Sequence, residues 1–296
     1  MKILAEADKS GAEWVVVAYD AQDERMIEVT KGDISPHVIT GSLIAGCSQE
    51  DVERDNKIVG HNTDPVTIRN LRKDQFPELE EICSFLPRTM SIRQAGKKSN
   101  HGLNYDMQYT RFALENEMPL SESKDIVQLY RTRAYPGVPL WHEDIRQRVA
   151  NDRELVNCFG RKRPFPGPLS TSLFQQAYAY IPQSTVGDIC FTAMRQWRRD
   201  TLGLELLSNV HDSLLTQFDA ESPEDVPYDS LVTFATDKEY LNPVCCYKGR
   251  EFQIPTDLKL GVAWGEDDMV EVPCGDPNAM REAVEANWSK ISGEAN

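Results

Sequence analysis

Asp212 stands at the tip of a short apolar hairpin, Leu204-Glu205-Leu206-Leu207-Ser208-Asn209-Val210-His211-Asp212-Ser213-Leu214-Leu215-Thr216-Gln217-Phe218. Two β-like runs, Leu204 to Val210 and Leu214 to Phe218, flank the polar tip of His211, Asp212 and Ser213. A carboxylate fixed there between two buried strands suits a hard cation such as Mg²⁺. Asp8 ends a second apolar run, Lys2 to Ala7, and a strand-end carboxylate projects where a sheet edge meets solvent. If the strands are neighbours, the two aspartates share one metal pair. Two ions about 3.5–4 Å apart are the standard device for in-line phosphoryl transfer. Spacing alone leaves both aspartates equally readable as turn residues. Glu6, on the same strand face as Asp8, reads as a sheet-surface residue, and Glu13 follows Asp8 at the start of the next element.

Arg93, Lys97, His101 and Tyr105 recur every four residues. On an α-helix each step of four rises about 6 Å with about 40° of drift, so one face carries two cations, an imidazole and a phenol over roughly 18 Å. That order suits a nucleoside triphosphate. Arg93 as a fork and Lys97 as a point charge hold phosphate oxygens, and the two rings lie near sugar and base. A solvated basic face ending in a packed Tyr has the same pattern. A third stretch joins Asn157-Cys158-Phe159-Gly160-Arg161-Lys162-Arg163 to Pro182-Gln183-Ser184-Thr185. Its basic loop suits phosphate-backbone contacts, and Gln183 suits a hydrogen bond in a minor groove. A solvated loop and a buried capping Gln explain it equally well.

The elements that must position these residues are mixed. Lys2 to Ala7 reads as a strand, Lys9-Ser10-Gly11 as a turn, and Ala12 to about Tyr19 as a helix. Residues 37–45 and 88–116 read as helical, as do Lys124–Tyr135 and the stretch from Leu173 to about Thr201, interrupted near Pro182. Ser48 to Pro87 is polar with weak periodicity and reads as an elaborated loop or small helical insertion. Asp257–Ala263 reads as a further element and Pro277–Ile291 as a terminal helix.

The chain has 296 residues with 40% hydrophobic content, enough for a large core or two subdomains. No apolar run is long enough to span a bilayer, and the N-terminus lacks an apolar signal region. The expected location is therefore the cytoplasm, with no membrane partner. Seven cysteines, an odd number without a CxxC pair, argue against a disulfide framework or zinc site. A net charge of −15 excludes a surface that binds nucleic acid all over, but not a local basic groove.

Taken together, the three stretches resemble the polymerase region of family A DNA polymerases, the bacterial polymerase I and phage replicative group. Asp8-Lys9-Ser10-Gly11-Ala12-Glu13 is similar to motif A, Arg93 to Tyr105 to motif B (R-x3-K-x7-Y), and Val210-His211-Asp212-Ser213 to motif C. Order and spacing agree from Leu4 to about Gly265. This sequence departs from the pattern at His101 for the usual aromatic ring, Asp106 for Gly, Ser213 for Glu, Gly11 for Gln, and Ser35 for a His, with His37 close by.

The resemblance implies an α+β fold of the right-hand type, an antiparallel palm sheet with a largely helical fingers subdomain. Its expected division is residues 1–34 palm, 35–200 fingers with the 48–87 insertion, and 201–296 palm. It implies two Mg²⁺ ions, or Mn²⁺, on Asp8 and Asp212, with Lys97 also protonating the leaving pyrophosphate. It implies dNTP contacts by Arg93, Lys97, His101, Tyr105, Lys9 and Glu13, the last gating the sugar. Primer–template DNA would meet Arg161, Gln183 and His211. Motif A lies only seven residues from Met1, so the expectation is either a split polymerase whose thumb and first palm segment, with or without an exonuclease domain, belong to a second polypeptide, or a truncated product, the split polymerase being the leading reading. Two other readings share features: a single-subunit RNA polymerase, which also carries His-Asp-Ser, and a non-catalytic DNA-binding or assembly subunit. Glu13 and Phe159-Gly160-Arg161 favour the DNA enzyme over the first, and the retained aspartates argue against the second.

Overall fold

The computed structural model describes residues 1–32, 34–197, 202–265 and 268–294. Asp33, Arg198, Arg199 and the expected helix end at Thr201 lie outside them. The elements run β1 (Lys2–Lys9), α1 (Ala12–Ala21), α2 (Glu24–Val29), α3 (Pro36–Ala45), α4 (Gln49–Val59), α5 (Pro65–Gln75), α6 (Leu79–Ile82) and α7 (Ile92–Asn104). Then follow α8 (Tyr109–Glu115), α9 (Leu120–Leu129), α10 (Gly137–Asp152), β2 (Glu154–Val156), β3 (Lys162–Pro164) and α11 (Thr171–Trp197). The last are β4 (Glu205–Val210), β5 (Ser213–Asp219), α12 (Tyr228–Thr236), β6 (Cys245–Tyr247), β7 (Arg250–Phe252), β8 (Thr256–Gly261), β9 (Val270–Val272) and α13 (Pro277–Ile291).

The chain forms two compact units. One holds Met1–Glu13, Val156–Arg161 and Pro182–Asn296; the other holds Trp14–Leu155 and Lys162–Ile181. The first border thus falls inside α1 rather than at residue 34. The second half of α11 belongs with the sheet, where Cys190 stands close to Asp8, Lys9 and Asp212.

The sheet unit is built on five antiparallel strands in the order β4-β5-β1-β8-β9. β1 is central because its residues alternate: Ile3, Ala5, Ala7 and Lys9 are buried, while Leu4, Glu6 and Asp8 face the more open side. That period of two is what a strand imposes when one face is covered. β4 and β5 form a hairpin whose last pair is Val210 opposite Ser213, leaving His211 and Asp212 as a two-residue tip. Ser213, expected at the tip, is the first residue of β5.

The helical unit is organised around α7. Its backbone approaches α3 so closely that a Cβ on Gly96 would stand 2.2 Å from the His37 carbonyl oxygen and 2.7 Å from the Gly41 nitrogen. The 48–87 stretch is not a loop. It forms α4, α5 and α6, packed with α3 and α7 around Val38, Ala45, Val52, Phe76, Leu79 and Ile92. Its periodicity is weak because its interior includes an ion pair. Buried Arg72 donates to both carboxylate oxygens of buried Asp55, at 2.7 and 3.1 Å, and to the carbonyls of Pro87 and Met90. Asp55 also accepts from the Ile92 amide at 2.7 Å, and Ser91 caps the helix by accepting from the Gln94 amide at 3.2 Å. The insertion therefore anchors the start of α7. Behind the helix, Asn100 takes hydrogen bonds from Thr40 (2.8 Å) and Tyr130 (3.3 Å), and Tyr130 also donates to Asn104 at 2.9 Å.

Candidate active site

In the sheet unit, antiparallel pairing brings together two aspartates that lie about two hundred positions apart. Asp8 sits directly across from Ser213 on one side and from Asp257 on the other. The Lys9 amide donates to the Asp212 carbonyl at 3.2 Å, tying the hairpin tip to the end of β1. His211, exposed at that tip, takes φ 55°. Burial pushes the Asp8 carboxyl up to about 6, reinforced by the charges of Asp212, Glu6 and Asp257 and opposed by Lys259. Such a carboxylate group lacks a full counter-charge, and a divalent cation would supply one.

Among the described residues no three His, Cys, Asp or Glu side chains gather in a metal-binding cage. A pair of hard oxygen donors is nevertheless the kind of site Mg²⁺ uses, since it keeps waters and substrate phosphates for its other positions. The donor set of Asp8 and Asp212 fits Mg²⁺ or Mn²⁺ on that ground.

Lys9 does not fit its expected place at the nucleotide. Alternation along β1 turns it to the buried face. Its ammonium donates to the Leu241 carbonyl (2.7 Å), the Ile254 carbonyl and the Thr256 hydroxyl (2.8 Å), and burial lowers it to about 8. All three donors are committed within the fold. Glu13 lies half-buried in the first turn of α1, beyond the turn at Gly11, whose φ of +56° favours glycine.

The loop 157–161 is folded around buried Asn157. Its side-chain oxygen accepts from the amides of Phe159 and Arg161, both at 3.0 Å, and its amide donates to Ser184 (3.1 Å) and Asp188 (2.7 Å) on α11. Arg161 donates from Nε to both carboxylate oxygens of Asp188, at 2.9 and 3.0 Å, and from Nη2 to one of them, and it lies over the Phe191 ring. Its charge is therefore held in place and partly compensated. Gln183 is exposed on α11.

In the helical unit, Arg93, Lys97 and His101 share the open side of α7, while Ala95, Gly96, Ser99, Asn100 and Leu103 are buried. Tyr105 is the C-cap rather than a helical residue, and the His101 ring meets it edge-on at 5.2 Å. Asp106, where the family pattern has Gly, takes φ 58° and is held by Arg131 at 2.8 Å. His37 lies under the same cationic face. Burial lowers its imidazole to about 4, with Arg93, Lys97 and His101 adding to the shift.

Sequence reasoning missed Asp257 and Trp264. Asp257 begins an alternating run, Asp257-Leu258-Lys259-Leu260, which signals a strand, but only the register with β1 places it opposite Asp8. Trp264 donates its indole N–H to Glu6 at 2.9 Å, giving that glutamate a partner that strand position alone did not indicate.

A sequence model of DNA polymerase family A matches residues 84–265. DNA polymerase I of Treponema pallidum is 24% identical over 232 residues, covering 75% of this chain and 19% of that protein. DNA polymerase I of Pseudomonas aeruginosa is 23% identical over 235 residues, covering 76% and 22%. That of Deinococcus radiodurans is 28% identical over 142 residues, covering 45% and 15%. The chain thus spans less than a quarter of these relatives' length. The POL domain of Pol1 from M. smegmatis, solved in complex with DNA primer-template and dNTP, superposes with a TM-score of 0.63 at 18% identity, covering 88% of this chain and 40% of that one. The fold is that of a polymerase domain, and with the family match over more than half its residues the chain belongs to DNA polymerase family A.

Proposed function

We propose that this chain carries out template-directed DNA synthesis, transferring a nucleotide from a dNTP to a primer 3′-hydroxyl. The observation that carries the reading is the placing of Asp8 and Asp212 at the joined ends of adjacent antiparallel strands, in a chain of this family. These two carboxylates would hold two Mg²⁺ or Mn²⁺ ions, which when bound supply the charge that activates the attacking oxygen and stabilises the leaving one. Asp8, standing near 6, is ionised and ready to bind at neutral pH.

On the helical unit, Arg93 and Lys97 bind triphosphate oxygens, and Lys97 holds a proton at Nζ for the departing pyrophosphate. The edge-on pair of His101 and Tyr105 offers ring surface to sugar and base. On the sheet unit, Glu13 closes off the 2′ side of the sugar, and Arg161, Gln183 and His211 meet template or primer. Lys9 has no part in this scheme. The partners of the M. smegmatis domain, primer-template and dNTP, support the same partners here. That domain's chain is longer than this one, so we propose that further duplex-gripping elements come from outside this sequence, in cis or on a second polypeptide.

The test is extension of a labelled primer with Mg²⁺, using deoxy- and ribonucleotides in parallel, by wild type, Asp8→Ala and Asp212→Ala. Deoxynucleotide extension that both substitutions abolish, with primer–template affinity retained, is the expected result. Preference for ribonucleotides would assign an RNA polymerase, and extension surviving in both variants would remove the metal assignment. Glu13→Ala is expected to narrow the margin between deoxy- and ribonucleotide incorporation.

A further inference from the structure

We infer that Trp264 is a stacking contact for the nucleic-acid strand whose end is set at Asp8 and Asp212, and that Glu6 is the positioning residue that aims its indole. This rests on the function proposed above. Glu6 and Asp8 share the open face of β1, two residues or about 7 Å apart. The Glu6 carboxylate accepts from the Trp264 N–H at 2.9 Å and has the Ser213 hydroxyl at 3.5 Å, and Ser213 is the residue paired across from Asp8. The one polar atom of the indole is thus bound on the side of the aspartates. Trp264 remains 49% exposed.

The chemistry around the ring decides what it takes. Glu6, Asp8 and Asp257 outnumber Lys259 on this face, so the side chains around the ring give a phosphate little to bind apart from metal held by the aspartates. A base or deoxyribose presents an uncharged face, and every base offers a π-surface irrespective of sequence. An apolar plate with a fixed edge, one pleat from the metal aspartates, suits the terminal nucleotide of a primer and gives affinity that does not depend on cations. That is a useful property in a chain of net charge −15.

The test uses the full chain and a fluorescein-labelled hairpin primer–template at low salt, with Ca²⁺ present, read by anisotropy. Trp264→Ala is expected to raise Kd about 5- to 150-fold, which corresponds to the about 1–3 kcal/mol of one base–aromatic stack. Trp264→Phe keeps a ring face and is expected to restore most of the affinity. Glu6→Gln keeps an acceptor for the indole and is expected to bind as wild type, whereas Glu6→Ala falls between. In a second measurement, a hairpin carrying 5-iododeoxyuridine at its 3′ end is irradiated, and the cross-linked peptide is expected to contain Trp264. If Trp264→Ala binds as wild type, or Phe is as weak as Ala and the cross-link maps elsewhere, the indole is only a latch on the sheet and the inference is overturned. Primer extension lost on Asp8→Ala would leave the proposed function intact in that case. A wild-type chain with no affinity for the hairpin at low salt would overturn the stacking inference alone, since the proposed function already places duplex-gripping elements outside this sequence.

Discussion

Replacing Asp8 with Asn removes one carboxylate from a crowded face, and its effect on stability depends on pH in a fixed direction. The Asp8 carboxyl moves from 3.8 to about 6 on folding, chiefly through burial and then through Asp212, Glu6 and Asp257. A group whose folded pKa is raised binds more protons in the folded state. Wild-type stability is therefore greatest, as far as this group is concerned, below about pH 4. It falls as pH rises to about 6 and stays lower above that. The full shift corresponds to about 3 kcal/mol at 1.36 kcal/mol per unit. Asp8 is only half-buried, so water screens part of the repulsion and about 1–1.5 kcal/mol is the reasonable figure. Asn carries no such penalty.

In EDTA, Asp8→Asn and wild type are thus expected to melt closest together below about pH 4. The variant should melt higher by about 2–6 °C above pH 7, using about 2–4 °C per kcal/mol for a chain of this size. Saturating Mn²⁺ should reverse the order, because only wild type retains both donors. Differential scanning fluorimetry across this pH range, with and without metal, measures all of it. A difference that stays flat from about pH 4.5 to 7.5, or a variant less stable than wild type in EDTA at about pH 7.5, would refute the account of Asp8 as a strained, uncompensated carboxylate.

Lys97→Ala is expected to raise the KM for dNTP by about 10- to 100-fold while leaving the primer–template Kd within about twofold, since its ammonium lies exposed on α7 beside Arg93; steady-state kinetics and anisotropy separate the two. Gly96→Ala sets a methyl group against backbone atoms of His37 and Gly41 that cannot swing aside, and about 3 kcal/mol or more should be lost in urea unfolding of the helical unit. Asp55→Ala leaves Arg72 buried without its carboxylate and removes the acceptor of the Ile92 amide, with an expected loss of about 3–5 kcal/mol in the same assay. The double variant Asp55→Ala, Arg72→Leu should recover part of it.

The parts of this fold that were legible in the sequence are those written in short-range pattern. The β4–β5 hairpin, the strand before Asp8 and the spacing of Arg93, Lys97 and His101 each follow from a period and a turn signal. Tyr105 fits the four-residue spacing but not the helix. The chain leaves α7 there, and Asp106 takes the left-handed conformation a glycine would hold without strain. The 48–87 helices were obscured because Asp55 and Arg72 occupy interior positions where a pattern search expects apolar residues. Asp257 and Trp264 depend on register between distant strands, which no local window contains.

Lys9 is the instructive failure, because the signal was present. Strand alternation that turns Asp8 outward must turn its neighbour inward, and a lysine sent into a core has to find acceptors for three donors. It finds them on Leu241, Ile254 and Thr256. Two of these flank or begin β8, the strand that carries Asp257 opposite Asp8. The buried ammonium thus fastens β1 to β8 one residue beyond Asp8, while the Lys9 amide fastens β1 to the Asp212 tip on the other side. The same residue that cannot reach a nucleotide holds both walls around the aspartate. Lys9→Met should therefore loosen the separation of the carboxylates as well as the core. The expected outcome is weaker Mn²⁺ affinity than in wild type at a temperature where both remain folded, measured by calorimetric titration. An unchanged affinity in a folded Lys9→Met chain would show that the hairpin and strand pairing position Asp8 without it.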